Sequence, residues 1–130
     1  MRENKVKRAL KAGKSAMGVM CMEFATTGIS RICAQAGAQC IVFDMEHNGW
    51  ELEQIRMLMA TTRAADIVPI VRVPTTEYHF IAHALDVGAM GLVIPLVNTP
   101  EQAVRAVQYA KYPPQGIRGC AFTLAHDDFT

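Results

Sequence analysis

Of 130 residues, only 7% are aromatic and 19% charged, and thirteen Lys and Arg stand against twelve Asp and Glu for a formal charge of +1. Without a basic excess there is no field to gather nucleic acid, and without an acidic excess there is none to gather cations. No stretch reaches the roughly 18 to 20 uninterrupted apolar residues of a membrane span. Asp44, Glu46, Arg72 and Asp86 break the longest candidates. The cationic start MRENKVKRALKAGKS leads into no apolar segment of the length a secretory signal requires. Cys21, Cys33, Cys40 and Cys120 form no C-x-x-C pair. Together with the missing signal, this reads as a cytoplasmic protein whose thiols are reduced and serve as small buried hydrophobes. Nucleic acid and membrane are thus set aside as partners.

What the chain does have is apolar bulk, 51% of its residues, carried by Ala, Val, Ile, Met and Leu rather than by rings. That suits buried strands and packed helices, and the length suits one core. Val6, Ala9 and Leu10 share a face of a short basic helix closed by Gly13, before the apolar run Ala16 to Met22. Ile29, Ile32, Cys33 and Ala36 then fall on one helical face, with Thr27 as N-cap and Gly37 as the terminating glycine. A second strand, Cys40 to Phe43, precedes a helix through Leu52, Ile55, Leu58, Met59 and Thr62. A third strand, Val68 to Val73, precedes a helix through Ile81, Ala84 and Leu85 closed by Gly88. The fourth strand spans Met90 to Pro95. Its helix opens with Thr99 at the N-cap, Pro100 at N1 and Gln102 at N3, a capping box, and turns Ala103, Val104, Val107 and Ala110 inward. The tail from Tyr112 to Thr130, with Pro113, Pro114, Gly116 and Gly119, reads as loop.

Strand starts spaced by roughly twenty to thirty residues without hairpin turns demand crossover connections and a parallel sheet. Four successive βα units occur both in an open doubly wound sheet and in the first half of an eight-stranded barrel, and periodicity leaves both open. After the first strand the chain runs Glu23-Phe24-Ala25-Thr26-Thr27-Gly28, a poor phosphate cradle with its lone glycine. In either architecture the active site belongs at the carboxyl ends of the strands.

Asp44, Glu46 and His47 follow the second strand within four residues. They can supply a base, part of a metal shell or hydrogen bonds that orient a base, or simply a solvated strand end. Arg72 ends an otherwise apolar strand. A buried guanidinium needs an anion, so Arg72 serves either a substrate carboxylate or enolate, or an internal ion pair with Asp44 or Glu46. His79 and His83 have the i, i+4 spacing of metal ligands, yet Phe80 stands where a zinc protease motif needs glutamate. His126, Asp127 and Asp128 read as a solvated charge run.

Four segments in order, Phe43-Asp44-Met45-Glu46-His47, Val71-Arg72-Val73-Pro74, Leu85-Asp86-Val87-Gly88-Ala89 and Tyr112-Pro113-Pro114-Gln115-Gly116-Ile117-Arg118-Gly119, span most of the chain. With them it resembles the metal-dependent, class II pyruvate aldolases of the HpcH/HpaI type, within the phosphoenolpyruvate/pyruvate superfamily. The resemblance implies a TIM-barrel (β/α)8 fold, of which residues 1–130 form the N-terminal half of one domain with about the first four βα units. It implies reversible retro-aldol cleavage of 4-hydroxy-2-oxo acids to pyruvate and an aldehyde. In that reaction His47 is the base, Arg72 binds the enolate oxygen and Asp86 raises the basicity of His47.

The resemblance further implies a divalent ion, magnesium, manganese or cobalt, chelating the 2-oxo acid. Its glutamate and aspartate ligands sit on later strands, past Thr130, so the 130-residue chain by itself is expected to be inactive. A homo-oligomer, commonly a hexamer, is also implied. Asp86, at the end of the third strand's helix, falls on the face of a simple barrel opposite the site, where an aspartate can equally fix a helix-to-strand turn. Arg118 reads equally as loop anchor or ligand. The rivals are a citryl- or malyl-CoA-type lyase of the same superfamily and a non-catalytic α/β binding module.

Overall fold

A computed structural model describes residues 2–129. Its elements are α1 (Lys5–Lys11), β1 (Gly18–Cys21), α2 (Ile29–Gln35), β2 (Cys40–Asp44), α3 (Leu52–Thr62), β3 (Val68–Arg72), α4 (Tyr78–Asp86), β4 (Gly91–Val93) and α5 (Pro100–Ala110). The strands form one parallel sheet in the order β1-β2-β3-β4. That order separates the two architectures that periodicity leaves open. A doubly wound sheet reverses direction at a switch point, whereas here each strand pairs with its predecessor. Crossovers of one hand stepping in one direction keep the helices on one face, the arrangement of a barrel wall.

The register divides the sheet into two faces. Cys21, Phe43, Val71 and Leu92 form one cross-strand row. With Ile41 they pack under the helices against Ile55, Leu58, Met59, Ile81 and Ala84. The other face carries three rows. Cys40 and Val68 lie lowest and are covered by Val6 of α1. Met20, Val42, Ile70 and Gly91 come next, and Asp44, Arg72 and Val93 close the carboxyl end. The sheet thus raises an apolar wall to a polar rim.

Gly13, Gly37 and Gly88, expected to close α1, α2 and α4, have φ of +71°, +95° and +111°. The capping box of α5 forms as expected, Gln102 N–H donating to Thr99 Oγ1 at 3.3 Å and Thr99 N–H to Gln102 Oε1 at 3.1 Å. Gly28, not Thr27, is the N-cap of α2, and it has no side chain to bond with.

Several residues expected inward are exposed. Ile32 is 64% exposed, Leu10 58%, Val104 57% and Val107 56%, and Ala106 is the buried residue of α5. Along α5 the helix leans on α4 through Tyr109, whose ring meets that of Tyr78 edge-on at 5.4 Å. Val104 and Val107 face away from that contact. Cys21, Cys33 and Cys40 are buried as expected, but Cys120 is exposed, and all four are free thiols.

The tail is held more firmly than a loop reading implies. Ile117 and Arg118 N–H donate to the carbonyls of Gln108 and Lys111, each at 2.9 Å. A side chain at Gly116 would collide with those same carbonyls, which is why a glycine stands there. The charge run beyond it is not solvated either: Asp128 pairs with Arg63 at 2.8 Å, and a 3-10 turn (Ala125–Asp127) brings His126 Nε2 to 3.3 Å from the Tyr112 hydroxyl. No helix among the described residues is long and apolar enough to cross a membrane.

Candidate active site

Asp44 and Arg72 are direct cross-strand partners at the ends of β2 and β3, in phase with Cys40 and Val68 on the face opposite α3 and α4. Arg72 grips Asp44 with both arms, Nε to Oδ1 at 2.8 Å and Nη2 to Oδ2 at 2.7 Å. Planar fork meets planar carboxylate, the strongest geometry available to such a pair. Asp44 is fully buried, and its Oδ1 also accepts from the Glu46 amide at 2.8 Å. The Arg72 guanidinium holds the Asp44 carboxyl below the ordinary aspartate value of 3.8, aided by the amides of Glu46 and His47 and opposed by burial. Arg72 is shifted upward in turn, chiefly by Asp44.

Glu46 lies between the cation and the imidazole, its Oε2 at 3.3 Å from Arg72 Nε and 3.8 Å from His47 Nε2. The His47 side chain is 60% exposed, open to a reactant, whereas that of Arg72 is 18% exposed. The loop holding His47 is pinned on both sides. Asn48 donates to the Met22 carbonyl at 2.9 Å, accepts from the Trp50 amide at 2.9 Å, and so ties the end of β2 to the end of β1. Trp50 packs toward Phe43, ring centroids 6.3 Å apart, and the Glu51–Gln54 capping box starts α3 directly after. The clamp by Asn48 is missed by the sequence reading; its signal is an Asx residue three positions before the N-cap Glu51.

Of the two readings of Arg72, the ion pair is the one the structure shows. The guanidinium is paired with Asp44 and Glu46, and Nη1 has no partner among the described residues. A guanidinium fixed by its Nε edge and one Nη presents the remaining N–H groups as preset donors to an incoming oxygen. His47 stands on the same rim, with a ring nitrogen able to take or return a proton.

Asp86 is not brought to this cluster. Its carboxylate accepts from Arg118 Nη2 at 2.5 Å, while the carboxylate beside His47 is Glu46. The expected support of His47 by Asp86 is thus not made within one chain. His79 and His83 lie 6.5 Å apart between ring centroids, and His79 is packed on Phe80 at 4.2 Å.

The residues at the rim do not by themselves fit a divalent metal. Both oxygens of Asp44 are taken by Arg72, Glu46 faces two cationic or ionisable nitrogens, and no group of three His, Cys, Asp or Glu among the described residues could hold an ion.

Residues 19–126 match the HpcH/HpaI aldolase/citrate lyase family. The chain belongs to that family. Among its relatives, a hydroxypyruvate/pyruvate aldolase of Deinococcus radiodurans is 37% identical over 122 residues, covering 94% of this chain and 44% of that protein. A 5-keto-4-deoxy-D-glucarate aldolase of Citrobacter koseri is 42% identical over 118 residues, covering 89% and 45%. The crystal structure of an HpcH/HpaI aldolase from Desulfitobacterium hafniense superposes with a TM-score of 0.90 at 34% identity, over 96% of this chain and 48% of the other. This HpcH/HpaI chain therefore has the fold of about half a TIM barrel, and it spans about half the length of the curated relatives it matches.

Proposed function

We propose that this HpcH/HpaI chain carries the proton-transfer and enolate-binding half of a pyruvate aldolase, a carbon–carbon lyase that cleaves 4-hydroxy-2-oxo acids to pyruvate and an aldehyde. The observation that carries the reading is Arg72, fixed by Asp44 on the rim beside an accessible His47. In cleavage His47 accepts the proton of the C4 hydroxyl. The C3–C4 bond breaks, the aldehyde leaves, and the bond's electron pair passes through C3 to the C2 carbonyl oxygen, leaving the enolate of pyruvate. Arg72 donates to that oxygen, and a proton returned to C3 completes pyruvate. An imidazole, with a ring nitrogen that can take up a proton and give it back, suits both transfers.

The divalent ion expected for the whole enzyme needs ligands beyond those at this rim. Asp86 acts on His47 in this reading only across a contact with a neighbouring copy, which links its role to the homo-oligomer that the family resemblance implies. The test joins residues 1–130 to the C-terminal half of the Deinococcus relative and follows pyruvate release from a 4-hydroxy-2-oxo acid with and without magnesium or manganese. Metal-dependent release that collapses in His47→Ala is expected. A folded chimera whose turnover survives that substitution refutes His47 as the base.

A further inference from the structure

A cavity lies at the far end of the sheet from His47 and Arg72, where α1, the start of β4 and the tail converge. It encloses about 380 Å³. Its charged lining is all of one sign: Arg2, Lys7, Lys111 and Arg118, joined by His126 and the Tyr112 hydroxyl. This is a local concentration in a chain whose formal charge is only +1. Elsewhere on α1, Lys5 and Arg8 face Asp66 and Glu3, whereas Lys7 and Lys111 have no carboxylate partner among the described residues. Of the acids next to its lining, Asp86 is held by Arg118, Glu3 is paired with Arg8, and Asp127 Oδ2 accepts from the Thr123 amide.

The buried chemistry of the same wall also calls for an acceptor. Arg118 is 7% exposed, its guanidinium lies over the Tyr112 ring at 4.7 Å, and its Nε is buried with no hydrogen-bond partner. His126 Nδ1 is buried and unpartnered too. When Tyr112 donates to His126 Nε2, Nδ1 carries the proton, so both orphans are donors. Buried donors without acceptors are costly, and both of these belong to residues that line this cavity.

We propose that this cavity is an anion site for a small oxyanion of the phosphate class, separate from the aldolase rim. Lys7 and Lys111 supply charge at its mouth and Arg118 supplies directed donors within. An oxyanion with several equivalent oxygens can meet donors arriving from α1, from the end of α5 and from the tail at once. Such a ligand would fasten these three segments to one another.

Calorimetric titration of the 130-residue chain with inorganic phosphate, and separately with glycerol phosphate, tests the assignment and tells free phosphate from a phosphate monoester. Saturable binding of one anion per chain is expected, weakened at least about tenfold in the double variant Lys7→Glu/Lys111→Glu, where charge-assisted contacts are reversed. It should be unchanged in Lys14→Glu and in Arg72→Ala. Lys7 and Lys111 are exposed, so the double variant is expected to keep its far-ultraviolet dichroism. Absence of saturable binding, or binding lost in Arg72→Ala but kept in the double variant, overturns the assignment. Failure of the aldolase assay leaves it untouched.

Discussion

At the scale of single residues the site turns on one guanidinium. Arg72 is already oriented by Asp44, so in the proposed reaction it would meet the enolate with little reorganisation, and Arg72→Ala in the completed barrel is expected to lower turnover by roughly a hundred- to a thousandfold. Lysine is expected not to restore it, since an ammonium cannot hold Asp44 bidentately while donating onward. Near-normal kcat in the alanine variant would leave Arg72 a purely structural ion. Asp44 predicts a pH dependence of stability. Its folded-state value is depressed, so its contribution is fully present above the ordinary 3.8 and is lost as pH falls through the lower folded value. Asp44→Asn should therefore lower stability at neutral pH and flatten the acid limb below about pH 4, measured by urea midpoints across that range. An unchanged acid limb would show that Arg72 has little hold on the carboxylate. His47 is exposed, so His47→Ala is expected to cost roughly a hundred- to ten-thousandfold in rate while leaving the thermal midpoint in place.

At the scale of elements, alternation and capping are legible in the sequence while facing is not. The strands show themselves because apolar β-branched runs have few other uses, and the capping box of α5 is a local contact that needs no knowledge of neighbours. Counting by twos from Cys40 and Val68 also carries Asp44 and Arg72 onto one face, so their pairing is within reach of the sequence. Which side of α2 or α5 is buried depends instead on what stands beside it, and periodicity alone places Ile32, Val104 and Val107 wrongly. Two substitutions in α5 separate the faces. Ala106→Leu is expected to cost about 1–3 kcal/mol by overpacking against α4, and Val104→Gln no more than about 0.5 kcal/mol. If Val104→Gln proves the costlier change, the assigned facing of α5 is wrong. Gly116→Ala should loosen the tail from the carbonyls of Gln108 and Lys111, seen as faster amide exchange at Ile117 and Arg118.

At the scale of the molecule, the sheet is a wall with two open ends. β1 and β4 each leave one edge unpaired among the described residues, and Met17, Val19, Met20, Met22 and Val93 are exposed near those edges. Unpaired apolar edges recruit further strands. Light scattering on purified residues 1–130 is therefore expected to show self-association, with no pyruvate released from a 4-hydroxy-2-oxo acid. A stable monomer that turns over substrate would refute the reading of this chain as part of a larger catalytic unit.

The strand order has a consequence for how the protein is made. Each strand after β1 finds a hydrogen-bond partner in the strand synthesised just before it, and each of α3, α4 and α5 docks beside the helix that precedes it. Nothing in β1 to β4 must wait for a distant segment in order to pair. On a ribosome delivering roughly 5–20 residues each second, the wall can be laid in the order of translation, one βα unit at a time on the edge already finished. Asp44 would then leave the exit tunnel before Arg72, and β2 would hold an unpaired carboxylate until β3 arrived to neutralise it.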